Sequence, residues 1–333
     1  MPRSSFHNFQ VKELLQLPHL SHLHSLNLRG ADLSLINFDD LCARFSILKM
    51  IDLTAVTFLP DHHLANLTRI RSLRSLAVSD VQSLRPVKDL THLTSLKVTI
   101  STAKFVWEPS IWAGFTNLEV LDLSGSTTSA RVGPLEFPSQ HLTRVTRLKL
   151  NDCTFGDPML IVRLMSLPNL EKLSMNRSSL VDRNPDEFME RCTALTKLSI
   201  KSYRGYLNGL AKLTQLRVLH AIKASVYSDE LKSALASMTQ LVSLSFSVTW
   251  PFTQSDAMSL LTRLTKLRAL ALGNMSDVDQ VLASLGEHLV KLRSIDFSKS
   301  RSSQLALITN SLIRFPQLAR VIMPQKSFAG DWF

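Results

Sequence analysis

Apolar residues recur along this chain of 333 residues in one local pattern. The pattern places an apolar residue first, a second one three residues later and a third one two residues after that. Thirteen copies follow one another at a mean period of about 25 residues. Their three apolar positions are Leu23/Leu26/Leu28, Leu48/Ile51/Leu53, Leu73/Leu76/Val78, Leu93/Leu96/Val98, Leu118/Leu121/Leu123, Val145/Leu148/Leu150, Leu170/Leu173/Met175, Leu195/Leu198/Ile200, Leu216/Leu219/Ala221, Leu241/Leu244/Phe246, Leu267/Leu270/Leu272, Leu292/Ile295/Phe297 and Leu318/Val321/Met323.

A fourth apolar position lies three residues before each copy. Its occupants are Leu20, Phe45, Ile70, Leu90, Phe115, Leu142, Leu167, Cys192, Leu213, Met238, Leu264, Leu289 and Phe315. The alternation of apolar and polar residues inside each copy predicts a short β-strand with one buried face. Because a unit of this size cannot bury its apolar face alone, we expect the copies to stack and to share one continuous core.

This pattern resembles the leucine-rich repeat superfamily over residues 17–326. The resemblance implies an α/β fold with about 13 repeats, a curved solenoid with a parallel β-sheet on its concave face and helices and irregular segments on its convex face. The period and the helical connections resemble ribonuclease-inhibitor-like and F-box-associated repeats. We expect residues 1–16 to form an N-terminal cap and residues 327–333 to form a C-terminal tail.

The connections carry helix-start signals in the second half of the chain. An N-cap residue is followed by proline or an acid within one turn at Asn184, Ser228, Thr253 and Ser276, in each case ahead of apolar residues. Residues 99–115 and 126–142 are the least regular connections, and we expect them to project as loops.

One position departs from the family pattern. Leucine-rich repeats usually place Asn, and sometimes Cys, three residues after the last strand apolar, where the side chain bonds the loop backbone. Here the position holds Ala31, Val56, Val81, Ser101, Ser126, Cys153, Ser178, Tyr203, Ala224, Thr249, Met275, Ser300 and Lys326. None of these is Asn, so we expect an irregular solenoid in which Ser, Thr and Cys partly replace the asparagine. The remaining loop groups would bond to water or to neighbouring strands.

Composition and motifs argue against an enzyme. Hydrophobic residues make up 45% of the chain, which suffices for a core, and only 10 residues are glycine. The sequence contains no phosphate loop, dinucleotide-binding fingerprint, zinc-protease motif or nucleophile elbow. His19, His22 and His24, with His62 and His63, lack a cysteine or an acid at ligand spacing, and we interpret them as surface residues. We therefore expect no catalysis, cofactor, bound metal or small-molecule substrate.

The cysteines and the start of the chain bear on location. Cys42, Cys153 and Cys192 form an odd, sparse set that is typical of buried thiols in a reducing compartment. The first residues lack the apolar core of a secretory signal, and no apolar run approaches the roughly 18 residues that cross a bilayer. We expect an intracellular protein without membrane insertion, in the cytoplasm or nucleus. A mitochondrial presequence is the alternative, because the first acid is Glu13.

Positive charge is concentrated on one predicted face. The formal net charge is +11, and the 39 strand positions expected on the concave side include eight basic and three acidic residues. The basic ones are Arg29, Lys97, Arg147, Lys149, Lys172, Lys197, Lys201 and Arg320, and the acidic ones are Asp52, Asp122 and Asp296. Six of the basic residues fall in repeats four to eight, which places them within roughly 20 Å on strands about 4.8 Å apart.

These six residues form the predicted partner-binding surface, together with flanking groups. The full set is Lys97, Arg147, Lys149, Lys172, Lys197 and Lys201, extended by Arg177 and by the candidate aromatic anchors Trp107, Trp112 and Trp250. Repeats nine to twelve carry small, nearly neutral residues at the equivalent positions. Such residues either admit a partner backbone or simply keep the sheet soluble.

Three functions remain open. The leading hypothesis is a non-catalytic protein–protein interaction scaffold that binds an acidic partner surface through its basic concave face. The second is a structural subunit of a ribonucleoprotein complex that contacts RNA phosphates, although aromatic residues do not alternate with the basic ones as base stacking requires. The third is a substrate-recognition subunit of a ubiquitin ligase, by resemblance to F-box-associated repeats, although no F-box-like segment precedes the first repeat.

Overall fold

The computed structural model describes residues 21–34, 37–57, 59–100, 108–128, 140–155, 164, 166–180, 192–203, 209–222, 228–247, 254–273, 278–298 and 309–323. Thirteen strands form one sheet in the order in which they occur in the chain, and every pair whose register is defined is parallel. Each of the thirteen sequence copies contributes one of these strands. The predicted leucine-rich repeat fold is therefore confirmed.

The chain divides into two units, Met1–Leu170 and Glu171–Phe333. The strands of the first unit are β1 (Ser25–Asn27), β2 (Met50–Leu53), β3 (Ser75–Ser79), β4 (Ser95–Thr99), β5 (Val120–Asp122), β6 (Thr127–Thr128), β7 (Arg147–Lys149) and β8 (Thr154–Phe155). All but β6 and β8 belong to the thirteen-stranded sheet, and those two pair with each other in parallel. The connections contain helices Phe38–Arg44, Asp61–Asn66 and Pro109–Trp112 and 3-10 turns Leu67–Arg69 and Arg85–Val87.

The second unit repeats this arrangement with longer helices. Its strands are β9 (Lys172–Ser174), β10 (Ser179–Leu180), β11 (Lys197–Ser199), β12 (Val218–Ala221), β13 (Ser243–Ser247), β14 (Ala269–Gly273), β15 (Ser294–Asp296) and β16 (Arg320–Ile322). The helices are Ser228–Ser237, Gln254–Leu261, Val278–Leu285 and Thr309–Leu312, with a 3-10 turn at Leu210–Lys212. The helix starts predicted at Ser228, Thr253 and Ser276 are confirmed to within two residues. The start predicted at Asn184 lies outside the described residues.

The core follows the repeat positions. In β3 and β4 the apolar members, such as Leu76 and Leu96, are fully buried while their neighbours are half-buried. Burial of one such side chain stabilises the fold by about 1.5–3 kcal/mol, and the gain recurs in every copy. The last copy differs, because Val321 is 38% exposed and Met323 is 45% exposed. No further described strand lies beyond β16.

Tight turns follow the strands at a fixed position. Two residues after the last strand apolar, the backbone adopts a left-handed conformation with φ between 53° and 82°. The residues in this conformation are Gly30, Ala55, Asp80, Gly125, Asp152, Arg177 and Ser202. Only two of the seven are glycine, so most of these turns carry the strain that a side chain meets in this region. Hydrogen bonds to the next turn offset that strain, as when the Arg177 amide donates to the carbonyl of Lys201 at 2.7 Å.

Serine and cysteine replace the missing asparagine in the middle repeats. Ser126 Oγ is fully buried and accepts a hydrogen bond from the Ile100 amide at 3.0 Å. Cys153 Sγ donates to the carbonyl of Leu123 at 3.1 Å. The expectation of partial replacement is confirmed at these two positions.

The three cysteines are free and buried, as predicted. Burial raises the pKa of the Cys42 thiol to about 11 and those of Cys153 and Cys192 to about 12. Their chemistry is therefore that of small core residues.

Parts of the predicted organisation fall outside the described residues. These include the cap, 1–16, the tail, 327–333, and much of the connections 99–115 and 126–142. Within those connections, Pro109–Trp112 forms a helical turn and Thr127–Thr128 forms a strand, where loops were expected.

Candidate binding face

Alternate residues of the strands point away from the core and form an open face on the sheet, although Ser199 is only 7% exposed and Ser245 only 5%. In β4, Leu96 and Val98 are buried, whereas Ser95, Lys97 and Thr99 are only half-buried. We call this side, at the equivalent positions of every strand, the open face. It is the side on which the sequence predicted the basic patch.

In the first unit the lysines of the open face alternate with an acid. Asp122 stands directly between Lys97 and Lys149 in the register of β4, β5 and β7. Lys149 Nζ lies 3.5 Å from Asp122 Oδ2, and the carboxylate is mostly buried. One carboxylate thus offsets part of the positive charge in this row. Arg147 is exposed and faces Val120 on the neighbouring strand.

The acidic side chains of the open face accept hydrogen bonds from the turns that follow their strands. Asp52 accepts a hydrogen bond from the Thr54 amide at 2.9 Å. Asp122 and Asp296 accept equivalent bonds, from the amides of Ser124 at 3.0 Å and Ser298 at 2.7 Å. Each carboxylate therefore stabilises the turn that follows its own strand, which is the usual role of Asp in such turns.

The second unit carries a compact group of three lysines, Lys172, Lys197 and Lys201, which we call the lysine cluster. Lys172 and Lys197 are direct partners across β9 and β11. Lys201 follows on the same side, two residues beyond the end of β11. No carboxylate in the described part of the unit lies within ion-pair distance of any of the three.

A network around Asn176 fixes the backbone beside the cluster. Asn176 Oδ1 accepts from Ser199 Oγ at 2.8 Å and from the Lys201 amide at 2.9 Å. Asn176 Nδ2 donates to Ser174 Oγ at 3.0 Å. The Lys201 carbonyl in turn accepts from the amide of Arg177, at 2.7 Å. Lys201 is therefore held through both of its backbone polar groups.

His220 borders the lysine cluster on the next strand. It pairs with Ser199 across β11 and β12, and its Nδ1 lies 3.1 Å from Ser245 Oγ on β13. Removal of the ring from water, followed by the charges of Lys201 and Lys197, lowers the pKa of His220 to about 4. The imidazole is thus neutral at pH 7, and the row Ser199–His220–Ser245 is an uncharged polar strip.

The remaining predicted site residues have different positions. Arg177 is exposed and adopts the left-handed conformation in the turn after β9. Trp112 is only 1% exposed and packs edge-on against Phe115, with the ring centres 5.9 Å apart. Its prediction as a partner anchor is corrected, because the Pro109–Trp112 turn points the indole into the core. Trp107 and Trp250 lie outside the described residues.

The described part of the chain has neither a metal-binding cluster nor a membrane-spanning helix. No three His, Cys, Asp or Glu side chains come together there in a way that could hold a metal ion. His62 is exposed and makes an edge-on ring contact with His63. His63 is buried and stacks on Phe38, so its interpretation as a surface residue is wrong. Among the same residues, no helix has the length and apolar character needed to cross a lipid bilayer.

Comparison with known proteins identifies the fold and nothing finer. No family model matches the sequence, and no curated protein matches it significantly. Among solved structures, a leucine-rich repeat protein of Leptospira interrogans has a TM-score of 0.59 at 16% identity, over 92% of this chain and 80% of that one. The structure of TLR13 in complex with ssRNA13 has a TM-score of 0.52 at 16% identity, over 92% of this chain and 51% of that one. The chain has the leucine-rich repeat fold.

Sequence reasoning missed two residues of the candidate site. Asn176 was one open-face position among many, and its bonds to Ser199 and Lys201 depend on the exact register of two turns. His220 was grouped with the small neutral residues of repeats nine to twelve. In the register of the repeats His220 lies opposite Ser199, which stands between Lys197 and Lys201. That position was the signal from which its proximity to the lysine cluster could have been predicted.

Proposed function

We propose that this chain is a non-catalytic interaction scaffold that binds an acidic surface of a protein partner through its open face. The observation that carries the proposal is the lysine cluster, in which two lysines are direct cross-strand partners without a described carboxylate nearby. Like charges directly opposite each other on a sheet are destabilising. An acidic partner would remove this repulsion and gain charge-assisted hydrogen bonds.

The second candidate is a contact with RNA phosphates. The excess of basic residues favours it, since phosphate contacts need only clustered Lys and Arg. However, none of the described open-face strand positions holds Phe, Tyr or Trp. Single-stranded RNA would find no stacking platform there. We therefore place the acidic protein surface first.

The test is capture of partners from the native cell by the tagged full chain. We compare the wild type with Lys172→Glu/Lys197→Glu/Lys201→Glu. The matched control is Arg263→Glu/Lys266→Glu/Lys291→Glu, whose three residues are exposed, lie between helix and strand in the same unit and change the charge equally. Lys149 is left unaltered because it already pairs with Asp122.

We expect a discrete set of proteins that survives nuclease treatment. The cluster variant should retain about a tenth or less of it, because each reversal replaces an attraction with a repulsion worth on the order of 1 kcal/mol. The control variant should capture as the wild type does, and thermal melting should show that all three proteins are folded. Equal capture by both variants would refute the proposal. Loss of the whole set on nuclease treatment would favour RNA.

A further inference from the structure

The lysine cluster is the strongest uncompensated charge on the described open face. In the first unit Asp122 separates Lys97 from Lys149 and pairs with one of them. In the second unit Lys172 and Lys197 stand directly opposite each other instead. Glu171 directly precedes Lys172, but successive strand residues point to opposite sides and it makes no described ion pair.

The three amino groups can converge on one small ligand. Strands β9 and β11 are neighbours about 4.8 Å apart, and Lys201 lies four residues, or about 13 Å of chain, beyond Lys197. A lysine side chain spans about 6 Å and carries three rotatable donors, so amines on either side can meet above Ser199. The bonds of Asn176 to Ser199 and to the Lys201 amide fix the backbone of this arrangement. A preorganised cluster spends less entropy on binding.

The chemistry of the cluster matches a phosphate monoester best. A phosphorylated side chain carries a charge of about −1.5 to −2 and three strong acceptor oxygens. Three ammonium groups can satisfy these oxygens together. A carboxylate offers a single charge and would leave most of the repulsion in place. An RNA phosphodiester is also singly charged and arrives with bases that need stacking partners.

The strands next to the cluster suit a polypeptide. Beyond Val218 in the register, the row of Lys172 and Lys197 continues as Ser243, Ala269 and Ser294. These side chains are short, so an extended backbone can approach the sheet closely. The next row contains His220, which is half-buried, and Ser245, which is 5% exposed. Their side chains bond to each other, so this row places no charge beside the peptide.

We propose that Lys172, Lys197 and Lys201 bind a phosphorylated side chain of a protein partner, whose backbone lies over β13 and β14. This inference rests on the proposed function, since it names the acidic group by which the partner is recognised. The partner's phosphate occupies the space between the three amines and removes the repulsion between Lys172 and Lys197.

The direct test measures binding of the full chain to degenerate peptide libraries. Each library has a fixed centre, which is phosphoserine, phosphothreonine, phosphotyrosine, serine or glutamate, and a decauridylate RNA serves as the nucleic-acid probe. We expect one phosphorylated library to bind at least about tenfold tighter than the glutamate library, a difference of one charge-assisted contact. The imidazole NMR signal of His220 should move on addition of that library, which locates binding at the cluster.

Variants localise the effect. Lys172→Gln/Lys197→Gln/Lys201→Gln should lose at least about tenfold in affinity for the phosphorylated library. Arg263→Gln/Lys266→Gln/Lys291→Gln, the matched control, should bind as the wild type does. Equal binding of the glutamate library, tighter binding of the RNA, or no binding of any phosphorylated library would each overturn the phosphate assignment.

Phosphatase treatment distinguishes a failure of this inference from a failure of the proposed function. The lysate used for partner capture is treated with phosphatase, and capture by the wild type is measured again. Loss of the captured proteins is the expected result. Capture that persists after phosphatase treatment and still depends on the lysine cluster would refute the phosphate assignment while leaving the acidic-partner proposal intact. Capture that does not depend on the cluster would refute both.

Discussion

His220 reports directly on the charge of the lysine cluster. Loss of ring solvation is the main cause that lowers the pKa of His220 to about 4, and the charges of Lys201 and Lys197 add to it. We predict that Lys197→Gln/Lys201→Gln raises this pKa to nearly 5. The value stays below that of an ordinary histidine because the ring remains desolvated.

The size of this change follows from the register. His220 faces Ser199 across β11 and β12, so Lys197 and Lys201 lie two residues to either side of its partner. A strand spacing of about 4.8 Å and a rise of about 3.3 Å per residue put their backbones about 8 Å from that of His220. At that distance one unit charge contributes about 0.5 kcal/mol in a water-like medium. The two exposed lysines together account for about 1 kcal/mol, which raises the pKa by about 0.7 when they are removed.

The assay is a histidine NMR titration of the full chain with ring-labelled histidine, in which His220→Gln identifies the signal. At pH 5 about a tenth of the wild-type His220 rings should be protonated, and about a third in the double variant. The control Lys266→Gln/Lys291→Gln should leave the fraction at about a tenth. A wild-type His220 that titrates near pH 6.5, or a double variant identical to the wild type, would refute the described packing of the ring among the lysines.

The same pKa has a consequence for stability. Well above pH 6.5 His220 is neutral in the folded and the unfolded chain, so it contributes no pH dependence. Between pH 6.5 and about 4 the unfolded chain binds the proton that the folded ring rejects, so the free energy of unfolding falls as the pH is lowered. A pKa lowered from 6.5 to about 4 corresponds to a loss of about 2.5 kcal/mol by pH 4.5, and partial solvation of the ring reduces this to about 1–2 kcal/mol. Urea unfolding at pH 7 and pH 4.5 should show a smaller acid loss for His220→Gln.

Further predictions concern the core and the turns. Gly114→Ala should lower the free energy of unfolding by about 3 kcal/mol or more, because the added methyl carbon would lie 2.1 Å from the Lys88 carbonyl oxygen. Gly30→Ala should lower it by only about 1 kcal/mol. The methyl group added there meets nothing within 4 Å, and only the left-handed backbone disfavours it. Leu244→Ala removes a side chain that is 1% exposed and should cost about 2–5 kcal/mol in urea unfolding. Cys153 should resist alkylation in the folded protein at pH 8, because burial raises the pKa of its thiol to about 12; rapid labelling there would contradict its described burial.

The strands were predictable because burial imposes a strict period. A strand must bury one face, and a repeat can share that burial only with its neighbours, so apolar residues recur at fixed spacing. Even β12, whose third apolar position holds only Ala221, forms where the repeat pattern predicts a strand. The helices were predictable where an N-cap residue precedes an apolar stripe, as at Ser228.

The turns were harder to predict because several residue types can fill them. A left-handed position occupied by Gly30 is visible in a sequence, but the same backbone at Ala55 or Arg177 has no such signature. There the neighbouring turn dictates the conformation through its hydrogen bonds. The replacement of asparagine by Ser126 could be anticipated only in general terms, because its partner depends on the preceding repeat.

Only part of the candidate site could be predicted from the sequence. The excess of basic residues at open-face positions could be counted, but not which of them would be neutralised. Lys149 acquires Asp122 as a partner, whereas Lys172 acquires another lysine. Trp112 was wrongly predicted to be an exposed anchor. It lies in a helix of only four residues, which is too short for hydrophobic periodicity to show which side chains face the core.

Site-specific photocrosslinking in the native cell tests the central claim most directly, namely that partners bind the open face. A photoreactive amino acid is introduced at Ser243, on the open face of β13, and separately at Arg263, between the helix Gln254–Leu261 and β14. The account predicts a protein adduct from position 243 that disappears with Lys172→Glu/Lys197→Glu/Lys201→Glu, and none from position 263. An adduct from position 263 alone would contradict it.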